Sequence, residues 1–220
     1  DEYGWPLVHR EGWPDLSAGE LEFDLKVRAF NARSRCVRVL FVNQFGWDRQ
    51  LCGDWIPEGV SFADLRRGSD VEFGQSIYEP FGIAQVEPLS FGAVSVVSDV
   101  CGCVGFVERS QGQDRELDNF IVGEYTRLPS GESGEFGQID ARASAHVEAV
   151  QSRVVAAALA AALEASPQRR QARLRSGYAL AEAMSWERVA ADWLTPVLRR
   201  LAEVVKRGCA EGEPDSSTES

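Results

Sequence analysis

The pattern of apolar and polar residues divides the chain into an alternating strand-and-helix portion and a helical portion. Residues 37–43 and 93–98 are almost continuously apolar and rich in β-branched side chains, which is typical of strands covered on both faces. Shorter elements are predicted around them, namely strands at 70–76 and 119–125 and helices at 62–67 and 81–91. Because strands separated by helices need crossover connections, the pattern predicts a parallel sheet in an α/β fold.

The carboxy-terminal part of the chain is predicted to be helical. Apolar residues recur at helical spacing from Val147 to Leu163, which predicts a helix of about six turns at ~3.6 residues per turn. Pro167 ends this helix, and a second helix is predicted at 169–183. Ser185 is the expected N-cap of a third helix. Pro196 predicts either a kink near Leu194 or the end of that helix.

The sequence predicts three regions along the chain. Residues 1–35 begin with an irregular stretch rich in Trp and Pro and continue into a helix, which the capping-box residues Ser17 and Glu20 introduce. Residues 36–207 form the α/β domain with its carboxy-terminal helices. Residues 208–220 are acidic and rich in Ser, which is the composition of a disordered tail.

Charge and composition exclude several classes of protein. The formal net charge is −11, which argues against a nucleic-acid partner because that binding depends on clustered Lys and Arg. No apolar run approaches the ~20 residues needed to span a bilayer. The five cysteines are an odd and unevenly spaced set, which indicates reduced thiols in a cytoplasmic protein.

The segment 76–87 holds the clearest candidate chemistry. It places two glutamates, Glu79 and Glu87, around a helix start led by Gly82. A helix start presents unpaired backbone N–H groups and the positive end of a dipole, which suits a phosphate. An ionised Glu only accepts hydrogen bonds, and it can accept from two adjacent hydroxyls of a sugar or ribose. The segment is therefore suited to both parts of a nucleotide-sugar.

A second candidate is the glycine-bearing loop at residues 101–105, which follows the strand at 93–98. Parallel sheets bind ligands at the carboxyl ends of their strands, where this loop and the glutamate segment both fall. A zinc site at Cys101 and Cys103 is disfavoured, because zinc pairs usually have two to four intervening residues and need further ligands. We therefore predict no metal site, and no cofactor is expected.

These segments resemble the carboxy-terminal, donor-binding domain of nucleotide-sugar glycosyltransferases with the GT-B architecture, and are most like glycogen and starch synthases. The matching segments are Tyr78-Glu-Pro-Phe-Gly82 with Glu87 and Gly92, Val94-Ser-Val-Val97 with Gly102, and Ala183-Met-Ser-Trp-Glu-Arg-Val-Ala190. The specific resemblance covers about residues 60–107 and 178–195. It implies a Rossmann-like parallel sheet flanked by helices, which is one half of a GT-B fold.

The resemblance also implies an activity and residue roles. Such enzymes transfer a hexose from a donor such as ADP- or UDP-glucose to a glycan acceptor, with retention of configuration. Glu79 is then the catalytic residue that binds the sugar hydroxyls, and Glu87 binds the ribose. The remaining substrate-binding positions are Gly82, Ile83 and Ala84, whose amides face the diphosphate, and Gly102, which belongs to the glycine pair after the next strand.

The chain departs from this family in two ways. The Arg and Lys that usually neutralise the diphosphate have no recognisable match, although Lys26, Arg28 and Arg38 are available. A GT-B enzyme also needs an amino-terminal domain of comparable size to bind the acceptor. We therefore expect this chain, which opens on Asp1, to be part of a longer enzyme and inactive alone. Its exposed apolar cleft face is expected to favour self-association.

Two other functions remain open at this point. A Rossmann-like module that binds a nucleotide or a partner domain without catalysis is the main alternative, because the second domain and the basic pair are missing. A dehydrogenase-like nicotinamide domain is a weaker one, since the loop from Gly102 to Gly105 lacks the full glycine spacing and the acidic residue of a dinucleotide fingerprint.

Overall fold

The computed structural model describes residues 6–10, 13–42, 47, 49, 55–75, 79–111, 117–127 and 141–210. The chain divides into two compact units, Asp1–Leu65 and Arg66–Ser220. In chain order the helices and strands are β1 (Pro6–Arg10), β2 (Trp13–Ser17), α1 (Ala18–Arg33), α2 (Phe62–Gly68), β3 (Val71–Gly74), α3 (Ile83–Val86), a 3₁₀ helix (Glu87–Phe91), β4 (Val94–Ser98), α4 (Cys103–Gln111), β5 (Phe120–Gly123), α5 (Ala141–Leu163), α6 (Pro167–Ala183), α7 (Trp186–Val189), a π-helical turn (Ala190–Leu194) and α8 (Thr195–Ala210).

The first unit begins with an antiparallel pair of strands where the sequence predicts an irregular stretch. In this pair β1 lies against β2, with Val8 opposite Leu16 and Arg10 opposite Trp13. Each strand of a two-stranded sheet has an outer edge that needs no partner, so the prolines in both strands are tolerated. The prediction of irregular structure at this position was therefore wrong. Helix α1 follows directly after Ser17, as the capping box predicts.

The predicted strand at residues 37–43 does not form within the described part of this segment. Residues 37–42 are irregular, and Val37 is 55% exposed. The backbone N–H and C=O of Val39 bond to the side chain of Asn31, at 2.9 and 2.8 Å. A side chain of α1 thus takes the place of a neighbouring strand. The pattern predicted the wrong partner because an apolar run packs equally well on a helix, here through an edge-to-face contact between Phe41 and Phe23.

The second unit contains a three-stranded parallel sheet with helical crossovers, which confirms the α/β class. The strand order is β3-β4-β5, and both pairings are parallel. All five residues of the central strand β4 are buried, as the apolar run predicts. The other two predicted strands are also confirmed, with slightly narrower bounds.

The helix predicted at 81–91 forms as two short pieces. A single α-helical turn, α3, passes directly into the 3₁₀ helix, which ends at Gly92 in the left-handed conformation with φ 82°. Pro88 explains the change, because its nitrogen carries no hydrogen to donate back to the preceding turn. The predicted glycine stop is confirmed. As a result Glu87 lies at the first position of the 3₁₀ helix.

The core of the second unit forms where α3, the 3₁₀ helix, α4 and α6 pack on the sheet. Its buried members are Val86, Leu89, Val97, Cys101, Cys103, Val107, Leu117 and Leu180. Helix α6 comes especially close to the 3₁₀ helix at Gly177, where an added Cβ would lie 1.8 Å from the carbonyl oxygen of Leu89. The backbone contact thus sets the position of the 3₁₀ helix that carries Glu87.

An ion pair ties α6 to the start of β5. The buried Arg173 donates from Nε to Asp118 at 2.7 Å and from Nη1 to the carbonyl of Ala162 at 2.8 Å, and Arg169 also donates to Asp118. Burial raises the pKa of Asp118, but the hydrogen bonds and charges of the two arginines outweigh it and hold the pKa below its usual value.

The carboxy-terminal helices follow the predicted boundaries closely. Ser166 caps α6 and Ser185 caps α7, each accepting a hydrogen bond from a backbone N–H three residues later at 3.2 Å. The irregularity predicted before Pro196 is the π-helical turn, after which α8 continues to Ala210. The rest of the predicted acidic tail lies outside the described residues.

The π-helical turn and α8 expose a continuous apolar face. Its large side chains, each at least 54% exposed, are Trp193, Leu194, Val197, Leu198, Leu201, Val204 and Val205. Trp186 on α7 is also exposed, so these tryptophans do not serve as core packing residues. None of the helices in the described ranges is both long and apolar enough to cross a membrane.

Replacing Gly177 with Ala is expected to destabilise the protein by about 1–3 kcal/mol, because the new methyl group would collide with backbone atoms of the 3₁₀ helix. Gly105→Ala is the matched control. Gly105 also lies inside a helix, but its added Cβ would meet only the flexible end of Arg109 at 3.4 Å, so a gain of up to about 1 kcal/mol is expected. Urea unfolding measures both, and equal effects would contradict the close contact.

Replacing Asp118 with Asn is expected to lower stability at neutral pH and to matter less in acid. The folded pKa of Asp118 lies below its unfolded value, so its contribution is full above the unfolded pKa of about 4 and is lost as the pH falls through the folded pKa. Urea unfolding near neutral pH and at about pH 3 tests this. Asp192→Asn, in an exposed pair with Arg188, should change little. A pH-independent difference for Asp118→Asn would contradict the ion pair's role.

Candidate functional site

The carboxyl ends of the three parallel strands meet at one edge of the sheet, and polar residues follow each of them. Asp99, after β4, accepts hydrogen bonds from the backbone N–H of Tyr125 at 3.0 Å and from the hydroxyl of Thr126. Gln75, after β3, donates to the hydroxyl of Tyr125, and burial raises the pKa of that tyrosine. Gln75 and Tyr125 fall inside the strands predicted at 70–76 and 119–125, so the sequence did not mark them as site residues. Asp99, directly after the strand predicted at 93–98, was a usable signal.

A backbone connection joins the glutamate segment to the loop after β4. Glu79 and Cys101 form a parallel bridge, and the N–H of Gly102 donates to the carbonyl of Glu79 at 3.0 Å. A Cβ on Gly102 would lie 1.9 Å from the carbonyl oxygen of Pro80. Gly102 therefore allows the two loops to touch. Its amide already donates to the backbone carbonyl of Glu79. The contact of Gly102 with substrate stays a prediction.

The predicted phosphate-facing turn has the expected backbone form. Gly82 is buried and adopts the left-handed conformation with φ 85°, directly before α3, and provides no side-chain cap. A Cβ there would lie 2.6 Å from Sγ of Cys101. The first amides of α3, those of Ile83 and Ala84, therefore begin the helix without a side-chain acceptor. Ser76, Ile77 and Tyr78, which precede Glu79, lie outside the described residues.

The two predicted acceptors differ in their surroundings. The Glu79 side chain is half-buried and takes part in no hydrogen bond or ion pair among the described residues. The Glu87 side chain is 51% exposed, and its Oε2 lies 2.5 Å from Nη1 of Arg66. Glu79 is thus a ready acceptor, whereas one oxygen of Glu87 already has a partner.

Arg66 is the charged residue near the site that the sequence analysis missed. It lies in α2, and its side chain is 9% exposed. Besides Glu87 it faces Glu72 on β3, with Nη2 3.5 Å from Oε2. Burial raises the pKa of Glu72, the charge of Arg66 opposes this, and the charge of Glu87 adds to it. The sequence could not single out Arg66, because Arg67 beside it has the same side chain. Only the fold buries the first and leaves the second exposed.

The three cations considered from the sequence all lie in the first unit and have local partners. Lys26 pairs with Glu22 at 2.7 Å, and Arg28 pairs with Asp24 at 2.6 Å. Arg38 donates to two backbone carbonyls at the end of α1, at 2.7 and 2.6 Å. Their ordinary structural roles give no reason to assign a diphosphate to any of them.

The two cysteines after β4 contact each other. Helix α4 begins at Cys103, so the predicted loop at 101–105 ends earlier than expected. The sulfur atoms of Cys101 and Cys103 are 3.2 Å apart, and both residues are buried. Burial, followed by the neighbouring Cys101, raises the pKa of Cys103 to about 12. Within the described ranges no group of three or more His, Cys, Asp and Glu side chains is arranged to hold a metal ion.

Comparison with known proteins does not identify the chain, because no protein-family model and no curated protein matches its sequence. The carboxyl edge of the parallel sheet carries Glu79, whose carboxylate has no hydrogen-bond partner among the described residues, and the helix start after Gly82. Glu87, held by Arg66, lies on the 3₁₀ helix that follows.

The buried cysteines are expected to resist alkylation in the folded protein. Cys103 stays protonated at neutral pH because its pKa is about 12, and the thiolate is the reactive form. Residue-resolved mass spectrometry after iodoacetamide treatment should show Cys36, which is exposed, labelled well before Cys101 and Cys103. In urea the three should react alike. Labelling of Cys103 in the folded chain as fast as that of Cys36 would contradict the packing.

Proposed function

We propose that this chain is the donor-binding domain of a retaining glycosyltransferase of the glycogen and starch synthase type, which uses a nucleotide-diphospho-hexose. The observation that carries the proposal is the backbone bridge between Glu79 and Cys101. It brings a carboxylate and a glycine turn to the carboxyl edge of the sheet, where open α/β sheets bind nucleotides.

The surroundings of the two glutamates suit different parts of such a donor. Glu79 has a half-buried carboxylate that no described residue occupies, which suits the hydroxyls of a sugar. Glu87 lies one helical turn further along and is half exposed, which suits the ribose. Both roles use the carboxylate as a hydrogen-bond acceptor for hydroxyl groups.

The helix start between the glutamates suits the diphosphate. Gly82 turns the backbone in the left-handed conformation, and the amides that follow it have no capping side chain. When the glycosidic bond breaks, negative charge develops on the leaving diphosphate. Fixed N–H donors stabilise such charge without rearrangement. In this proposal the amides of Gly82, Ile83 and Ala84 share that role with groups of a second, acceptor-binding domain.

Calorimetric titration of the chain with ADP, UDP and their glucose conjugates tests donor binding. The proposal expects millimolar or tighter binding of one nucleotide and of its glucose conjugate. The non-catalytic module would be favoured by two results together. The nucleotide would bind without any effect of the sugar, and no glycosyl transfer would occur when an acceptor domain is present. No binding of any of the four would overturn the proposal.

Isosteric substitutions separate the roles of the two glutamates. Glu87→Gln is expected to weaken ADP or UDP and its glucose conjugate equally, by about 1–3 kcal/mol, because both contain the ribose. Glu79→Gln should weaken only the glucose conjugate, since only that ligand has the sugar hydroxyls. Calorimetric affinities measure both.

The exposed Glu182, on α6, gives the matched control Glu182→Gln, which should leave both affinities unchanged. Equal losses for the free nucleotide in the Glu79 and Glu87 variants would contradict the proposed division.

A further inference from the structure

Arg66 is a buried cation whose position needs an explanation. Its side chain is 9% exposed, and taking a guanidinium out of water is unfavourable unless carboxylates and hydrogen bonds compensate it. The adjacent Arg67, on the same helix, remains exposed. The fold therefore buries Arg66 and leaves its neighbour Arg67 exposed to solvent.

The contacts of Arg66 favour one carboxylate over the other. Its Nη1 lies 2.5 Å from Oε2 of Glu87, whereas its Nη2 lies 3.5 Å from Oε2 of Glu72. The Oε1 atom of Glu72 is buried and has no hydrogen-bond partner among the described residues. The short bond to Glu87 is thus the strong interaction, and Glu72 supplies a second negative charge beside the guanidinium.

The bond to Arg66 restricts a side chain that is otherwise half in solvent. A Glu side chain loses conformational freedom when it orders on a ligand, and a carboxylate already held in place loses less. Arg66 occupies Oε2 of Glu87, while no described residue donates to Oε1. The arrangement fixes the carboxylate through one oxygen and leaves the other as an acceptor.

We propose that Arg66 is a positioning residue, which holds the Glu87 carboxylate in the orientation that accepts the ribose hydroxyls of the nucleotide. The inference rests on the proposed function, since it acts through the ribose contact of Glu87. It also narrows that contact, because Glu87 then receives the ribose mainly through Oε1. Arg66 touches neither the sugar nor the reacting atoms in this role.

The test compares a nucleotide with its 2′,3′-dideoxy form, which lacks the hydroxyls that Glu87 would accept. With the nucleotide that binds the wild-type chain, ADP or UDP, Arg66→Met is expected to reduce affinity about tenfold. With the dideoxy form, wild type and Arg66→Met should bind alike. A general disturbance of the fold would weaken both ligands, so equal losses would overturn the inference. Arg67→Met, the exposed neighbour, should change neither affinity.

A double-mutant cycle provides the second readout. Once Arg66 is replaced by Met, the further change Glu87→Gln should cost much less affinity than it does in the wild-type background, because the two residues act as one unit. Fully additive losses would mean that Arg66 acts elsewhere and would overturn the inference. Circular dichroism and thermal unfolding establish that each variant is folded.

Arg66→Lys covers the case in which Arg66→Met does not fold, since removing the guanidinium leaves Glu72 buried beside Glu87. Lysine keeps the charge but not the planar fork, so a smaller loss for the nucleotide and none for the dideoxy form is expected. Failure of the wild-type chain to bind either nucleotide would overturn the proposed function and this inference together. Wild-type binding with equal losses for both ligands overturns the inference alone.

Discussion

The candidate site depends on the backbone contact between the Glu79 segment and the start of α4. The carbonyl of Glu79 accepts from Gly102 at 3.0 Å, and the contact forms only because residue 102 lacks a side chain. The contact holds Glu79 beside the loop that follows β4, and an edge-to-face contact between Phe81 and Phe106 joins the same two segments. With it, a carboxylate, a left-handed glycine turn and the ends of the parallel strands occupy one edge of the sheet.

A second constraint acts on the 3₁₀ helix itself. Gly177 lets α6 approach the backbone of Leu89, and Arg66 reaches Glu87 from α2. The short helix that carries Glu87 is therefore held both by backbone packing and by an ion pair. Such double support is what a binding carboxylate needs, because a loosely held side chain must be ordered by its ligand.

The sequence predicted much of the fold where one local signal was strong. The strand β4, the glycine stop at Gly92 and the serine cap of α7 all follow from short patterns that act within a few residues. It failed at residues 37–42, where an apolar run packs on α1 in place of a sheet. Burial favours any apolar partner, so the pattern alone could not choose between helix and strand neighbours.

The sequence by itself determined the spacing of the two glutamates. It also determined the glycine turn and the α/β class, because local backbone preferences and the alternation of strands and helices act over short stretches of chain. Only the tertiary structure decided that Arg66, and not Arg67, lies beside Glu87, and that Gly102 touches Pro80. It likewise decided that Asp99, Tyr125 and Gln75 meet at the edge of the sheet. These contacts join residues far apart in the chain, and sequence spacing does not encode which of several similar side chains the packing will bury.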